Sequence, residues 1–310
     1  MSTRLPGARR QDSVSALDPR HPPADEARTL LDVAPIEIDG IRSAVHVAGS
    51  GRDTVVFVHG NPGPLDDWQP FAVEVARFAQ VVAMDLPGFG RADRPPRFDY
   101  SIAGYGAFLG ALLDRLAVAR RVHLVAHDFG GAWATAWAAA HRARVASMTL
   151  ISTPVVPTFR WHTFARVWQT PVMGEVFQML ASRSLIRAVM RRDNPRPLPA
   201  DFLDRVSGYA DLAQKLRVLR IYRDARDPAS AFAPIAEQLR AIDPPACIIW
   251  GERDPYAAKE NAAATSALFT RAETHVIAGA GHWPFVDEPA RVKAIVCDFL
   301  RAATGAEKAE

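Results

Sequence analysis

The sequence predicts an α/β fold, a mostly parallel sheet covered on both faces and interrupted by one helical insertion. Two observations carry this. Short continuous apolar runs alternate with stretches of helical periodicity, and a strand buried on both faces needs such a run. The alternation stops at Pro154, gives way to helical patterning up to about Ile242, and then resumes. Residues 34–153 and 243–305 therefore read as one core, and 154–242 as a helical cap between its two halves. Residues 1–33 are polar, rich in Pro and Arg, and carry no apolar signal segment, so they read as a mobile leader.

The elements follow in order. "IEIDG" and "SAVHVAG" form a hairpin around an Asp-Gly turn. "TVVFVHG" is a strand of β-branched and aromatic residues ending in a Gly-rich turn, and "DDWQPFAVEVARFA" is a helix entered through an Asp pair. "VVAMDLPGFG" is a buried strand closed by Pro and Gly, and "IAGYGAFLGALLDRLAV" is a helix. "RVHLVAHD" is a strand. The Ala-rich helix "GGAWATAWAAAHR" can pack closely on the sheet, and "VASMTLIST" is the next strand. After the helical block come strand "ACIIWGERD", helix "AKENAAATSALF", strand and loop "THVIAGAGH", and a final helix "ARVKAIVCDFLRA".

Composition excludes several functions. A net charge of +3 and the lack of a basic run interleaved with aromatics argue against nucleic acid. No apolar run is long enough to span a membrane. Cys247 and Cys297 fall in a buried strand and the terminal helix, as reduced core thiols of a cytoplasmic protein would. No His, Cys or carboxylate cluster has metal-ligand spacing, so neither metal nor cofactor is expected. The Arg-rich "SRSLIRAVMRRDNPR" reads as a solvated helix face.

In an open α/β sheet, ligands bind beyond the carboxyl ends of the strands. The chemistry of this chain gathers there. "VAHDFGGAW" has the spacing of a strand-to-helix elbow, with Asp128 at the position of the nucleophile and Ala126, Gly130 and Gly131 keeping its flanks small. A plain helix N-cap is the other reading of Asp128. "WGERDPY" places Asp254 just past a strand, with Glu252 as a rival, and "GAGHWPF" places His282 in the loop after the next strand. The order nucleophile, acid, His allows His282 to activate water while Asp254 fixes its tautomer. "HGNPG", after the third strand, offers the Asn61 backbone N–H, which can form an oxyanion hole with that of Phe129. Pro62 makes that turn rigid, and a cis bond is one way to build it.

From about Ile36 to Ala302 the chain resembles the α/β-hydrolase superfamily, and within it the Asp-nucleophile branch of epoxide hydrolases and haloalkane dehalogenases. "HGNPG", "DLPGFGRADRP", "AHDFGG", "WGERDP" and "GHWPFVDEP" carry the resemblance. It implies a cofactor-independent two-step hydrolysis. Asp128 attacks an sp³ carbon and forms an alkyl ester, which water activated by His282 then cleaves. An ester can be opened by water where the ether left by a Ser nucleophile cannot, so Asp at the elbow points to displacement at carbon.

An epoxide oxygen needs an O–H donor, which the resembled family supplies from a cap Tyr; a halide needs N–H donors. Asn61 matches the dehalogenase turn, but Phe129 follows the nucleophile where dehalogenases carry Trp. Loss of such a donor costs on the order of 3 kcal/mol of barrier. "LRIYRDARD" resembles the Tyr-Arg element of epoxide hydrolase caps and makes Tyr222 the expected proton donor, with ordinary packing its alternative. The early cap, "TFRWHTFARVWQTPVMGEVFQ", holds no Tyr, which leaves His162 or Tyr209 as the second donor. Trp161 and Trp168 are expected to line the pocket or donate to a halide, and His59 and Trp283 complete the expected pocket. The expected reaction is epoxide hydrolysis to a vicinal diol on a small apolar electrophile, with dehalogenation and a repurposed ligand-binding fold as alternatives. Oligomeric state is not encoded in any motif.

Overall fold

The computed structural model describes residues 32–208 and 211–306. Most of the expected leader, and Tyr209, therefore lie outside the described residues. The hairpin forms from β1 (Ala34–Ile38) and β2 (Ile41–Ala48). Asp39 and Gly40 between them both take positive φ, 51° and 76°, as a two-residue hairpin turn requires. The remaining strands are β3 (Thr54–Val58), β4 (Gln80–Met84), β5 (Val122–His127), β6 (Val145–Ile151), β7 (Ala246–Gly251) and β8 (Ala272–Ile277). They lie in the order β1-β2-β4-β3-β5-β6-β7-β8. β2 is antiparallel to both neighbours and the other pairings are parallel.

Both faces of the sheet are covered, and β3 shows how. Val55 and Phe57 point into one apolar cluster with Trp68, Phe71 and Val292, while Val56 and Val58 point into another with Tyr105, Leu109 and Trp133. Helix α1 (Gln69–Val75) lies on the first face, and α2 (Ile102–Arg115) and α3 (Phe129–Ala140) on the second. α1 is shorter than expected. Leu65–Trp68 form a 3₁₀ turn instead, because the Asp pair is buried in ion pairs: Asp66 with Arg91 at 2.9 Å and Asp67 with Arg205 at 3.3 Å.

Among the described residues six helices separate β6 from β7: α4 (Thr163–Gln169), α5 (Met173–Leu180), α6 (Arg183–Asp193), α7 (Ala200–Gly208), α8 (Leu212–Asp224) and α9 (Pro228–Ile242). Ser182, Asp211 and Asp227 cap the N-termini of α6, α8 and α9 with side-chain oxygens. α9 packs on α3 of the core. Asp224 at the end of α8 accepts the Ile102 N–H at 3.0 Å, and Arg205 of α7 reaches Asp67. These ties hold the inserted helices over the carboxyl ends of the strands. The chain closes with α10 (Glu260–Ser266), α11 (Pro284–Asp287) and α12 (Pro289–Thr304), the last packed against α1. Cys247 and Cys297 are buried and free. Among the described residues no helix is long and apolar enough to cross a membrane.

Candidate active site

Strand β5 runs straight into α3, and Asp128 is the residue at the corner. Its backbone sits at φ 52°, ψ −128°, a region that side-chain-bearing residues rarely occupy. Holding it there costs about 1–3 kcal/mol, which the surrounding packing must supply. Small neighbours make the corner possible. A Cβ on Gly60 would lie 2.5 Å from the Asp128 Cβ, and one on Gly130 would lie 2.5 Å from the carbonyl oxygens of Val58 and His59.

The corner lifts the Asp128 carboxylate into a ring of donors. Its Oδ1 accepts the Asn61 backbone N–H at 2.8 Å, and the Phe129 N–H bonds the same carboxylate. Its Oδ2 lies 3.5 Å from His282 Nε2. Burial alone would raise the pKa of this carboxyl. The hydrogen bond and charge of His282, with His127 and the Phe129 N–H, outweigh burial and lower it, so Asp128 is ionised. The Asn61-Pro62 bond is cis.

His282 Nδ1 donates to Asp254 Oδ2 at 2.8 Å. Asp254 Oδ1 accepts the N–H groups of Tyr256 and Ala257, each at 2.9 Å, which fixes the carboxylate. Burial opposes the imidazolium, but the Asp254 and Asp128 carboxylates raise the His282 pKa to about 10. Glu252, the rival acid, spends its Oε2 on the Gly279 N–H at 2.9 Å and does not reach His282.

A cavity of about 170 Å³ opens above Asp128 and runs between the core and the inserted helices. Phe129, Trp161, His162, Trp168, Tyr222 and Trp283 line it, as does Asn61. Tyr222 is buried, and the Asn61 side chain hydrogen-bonds its hydroxyl. Burial first, and the Asp128 charge second, raise the Tyr222 pKa well above the usual range; the Asn61 contact acts in the opposite sense. The Tyr222 ring packs against Trp168, Phe129 and Trp161 with centroids 4.8, 5.1 and 5.1 Å away. His162 Nδ1 accepts the Ala165 N–H at 3.3 Å as the cap of α4. Burial, then the His282 charge, lower its pKa to about 4, so the ring is neutral with its proton on Nε2.

Two expected pocket roles change. His59 does not line the cavity. Its Nδ1–H donates to Gly60 O and its Nε2 accepts the Leu86 N–H, both at 2.9 Å, so it braces the Asn61 turn against the end of β4. Trp161 lines the wall, but its indole N–H donates to Ala225 O at 2.8 Å and is not available to a halide. The Trp168 indole N–H is buried and has no hydrogen-bond partner among the described residues.

Sequence reasoning missed two residues that lay inside its own motifs. His127, next to Asp128, donates its Nε2–H to the His282 carbonyl at 2.9 Å and packs against the His282 ring, tilted, with centroids 4.8 Å apart. Burial, then the His282 charge, lower its pKa to about 4. Tyr256, two residues past Asp254, lines the cavity and packs on His162 and His282 at 5.1 and 5.2 Å. Away from this site, parallel pairing of β7 with β8 gathers Cys247, Glu273 and His275 with their ligand atoms within 4.8 Å of one another, a grouping that spacing along the chain does not show.

A family model of the alpha/beta hydrolase fold matches residues 53–289. A haloalkane dehalogenase of Mesorhizobium japonicum is 34% identical over 173 residues, which cover 55% of this chain and 54% of the relative. A 2-hydroxy-6-oxo-2,4-heptadienoate hydrolase of Pseudomonas putida is 28% identical over 275 residues, covering 85% and 94%. The crystal structure of haloalkane dehalogenase DbeA from Bradyrhizobium elkani superposes with a TM-score of 0.75 at 22% identity, over 89% of this chain and 99% of that one, a likeness of fold.

Proposed function

Because the chain belongs to the alpha/beta hydrolase fold family, we propose that it hydrolyses epoxides to vicinal diols through an ester on Asp128. The observation that carries the choice of substrate is Tyr222, a buried phenol lining the Asp128 cleft and held by the Asn61 amide. An epoxide opening above Asp128 leaves an alkoxide that this hydroxyl protonates.

The reaction has two steps. Asp128 Oδ1 is anchored by the Asn61 N–H, so Oδ2 is the attacking atom. A carbon–Oδ2 bond forms, the carbon–oxygen bond of the epoxide breaks, and the Tyr222 proton passes to the freed oxygen, with His162 Nε2–H as a second donor. Esterification removes the charge of Asp128. That charge raises the pKa of Tyr222 and is one of the two that raise that of His282. Attack therefore makes Tyr222 a better acid as the alkoxide develops, and it lowers the proton affinity of His282. The imidazolium then returns a proton to the Tyr222 phenolate through solvent in the cleft and becomes a base.

In the second step His282 takes a proton from water, whose oxygen adds to the ester carbonyl carbon. The oxyanion on Oδ1 is held by the Asn61 and Phe129 N–H groups, each such donor contributing on the order of 3 kcal/mol. The carbon–Oδ2 acyl bond breaks, the departing alkoxide takes the proton of the carboxylic acid just formed, and the Asp128 carboxylate and the His282 imidazolium are restored.

One observation favours a second reading. The unpartnered Trp168 N–H and the Asn61 amide are N–H donors that suit a halide. Phe129 and the committed Trp161 N–H weigh against it. A panel of epoxides and haloalkanes, followed for diol and halide release, separates the two. Diol formation is expected, and halide release without diol formation would reverse the assignment.

A further inference from the structure

The cleft extends well beyond the reacting groups. On α8, Gln214, Val218 and Tyr222 are four residues apart and all line it, so they form one stripe along a single helix face. Tyr222 lies eight helical steps beyond Gln214, a run of about 12 Å. A cavity of about 170 Å³ drawn out over such a run is a slot and not a chamber. Val218 lies midway between the two ends, and Phe177 and Val189 add to the apolar lining.

The far end is different. Gln178 of α5 and Gln214 of α8 line the slot and are only 5% and 6% exposed. Among the described residues neither side-chain amide has a hydrogen-bond partner, although buried amides are almost always satisfied. Lys215 lines the same end. Its ammonium gives one proton to Ala181 O at 2.8 Å and forms no ion pair with a carboxylate among the described residues. Two buried amides with unspent donors, beside a half-buried ammonium at the end of an apolar slot, are an arrangement for a polar ligand head.

We propose that the slot binds an extended amphipathic chain, with its electrophilic carbon at Asp128 and a terminal carboxylate held by Gln178, Gln214 and Lys215. The proposal rests on the epoxide reading only for the nature of the reactive carbon. An extended chain advances roughly 1.2 Å per bond, so the carboxylate belongs roughly ten bonds from the carbon under attack. The substrate class is then a medium-chain epoxy carboxylic acid.

The test is a set of terminal epoxides with spacers of about six to about fourteen bonds, each ending in a carboxylate or in a methyl group. The carboxylate series is expected to show kcat/KM peaking near about ten bonds and exceeding its methyl-ended counterpart on the order of tenfold, the worth of a charge-assisted hydrogen bond. Gln214→Glu keeps the side-chain size and repels the carboxylate. It is expected to lower kcat/KM far more for carboxylate-ended substrates than for methyl-ended ones, and Gln178→Leu to narrow the gap between the two series. Equal kcat/KM for both ends at every length, or a Gln214→Glu variant that weakens both ends equally, would overturn the proposal. Saturated carboxylic acids of the same lengths, titrated calorimetrically, read the polar end without any reaction. A length optimum in that binding with no diol formed would remove the epoxide reading and keep the subsite, whereas diol formation with no length optimum would do the reverse.

Discussion

Tyr222→Phe tests the proposed acid directly. The substitution removes one hydroxyl and keeps the ring, whose contacts with Trp168, Phe129 and Trp161 hold it in place. The fold and the cleft are therefore expected to survive. What is lost is one preorganised donor to a developing alkoxide, worth about 2.7–4 kcal/mol, or roughly 10²–10³ in rate. The loss is expected to fall on the first step, since the proposed mechanism uses the Tyr222 hydroxyl only to protonate the opening epoxide. Single-turnover alkylation of Asp128 by an epoxide, followed by intact-protein mass, is expected to slow by that factor while decay of the ester is nearly unchanged. A halide leaves without a proton, so any haloalkane turnover should be far less affected. Epoxide alkylation within about tenfold of the parent rate would refute Tyr222 as the acid. Equal loss on epoxides and haloalkanes would reduce it to a residue that shapes the cleft.

Three further outcomes follow from the same geometry. His282→Gln removes the proposed base and leaves the proposed nucleophile, so the peptide carrying Asp128 should accumulate a mass increase equal to the substrate; absence of an adduct would remove Asp128 or His282 from these roles. The folded-state pKa of His282, about 10, lies above its ordinary 6.5, so its imidazolium contacts stabilise the fold fully below about pH 6.5 and lose that contribution as pH rises toward 10. The parent Tm should therefore fall more steeply than that of His282→Gln between pH 7 and 10, and parallel curves would contradict the ion pairing. Gly60→Ala drives a methyl to 2.5 Å from the Asp128 Cβ and 2.7 Å from the His127 carbonyl; denaturation is expected to show a loss of about 1–3 kcal/mol, with activity falling alongside.

The sheet was legible because its strands are continuous β-branched runs, and the corner at Asp128 because only small residues fit around it. Helix α1 was overdrawn, since an Asp pair looks like an entrance to a helix until the Arg residues that bury it, one 138 positions away, are seen. Polar residues near the site were harder. "HGNPG" does not reveal that His59 faces the end of β4, nor does "FRWH" reveal that the Trp161 N–H is spent on Ala225 O. Both depend on contacts between distant segments. Gln178 and Gln214 were invisible for the same reason: a Gln in an amphipathic helix reads as surface until the helix it faces is known.

The anchoring of Asp128 Oδ1 by the Asn61 N–H has a consequence for where atoms come from. If Oδ2 attacks and departs with the product, the side chain gives up one of its own oxygens in every cycle and takes a replacement from water. The protein is then a stoichiometric carrier of solvent oxygen. In labelled water the first diol made by each molecule would carry no label, and the second would carry the oxygen that entered the protein while the first was released. Asp128 would thus hold an isotopic record of its previous turnover.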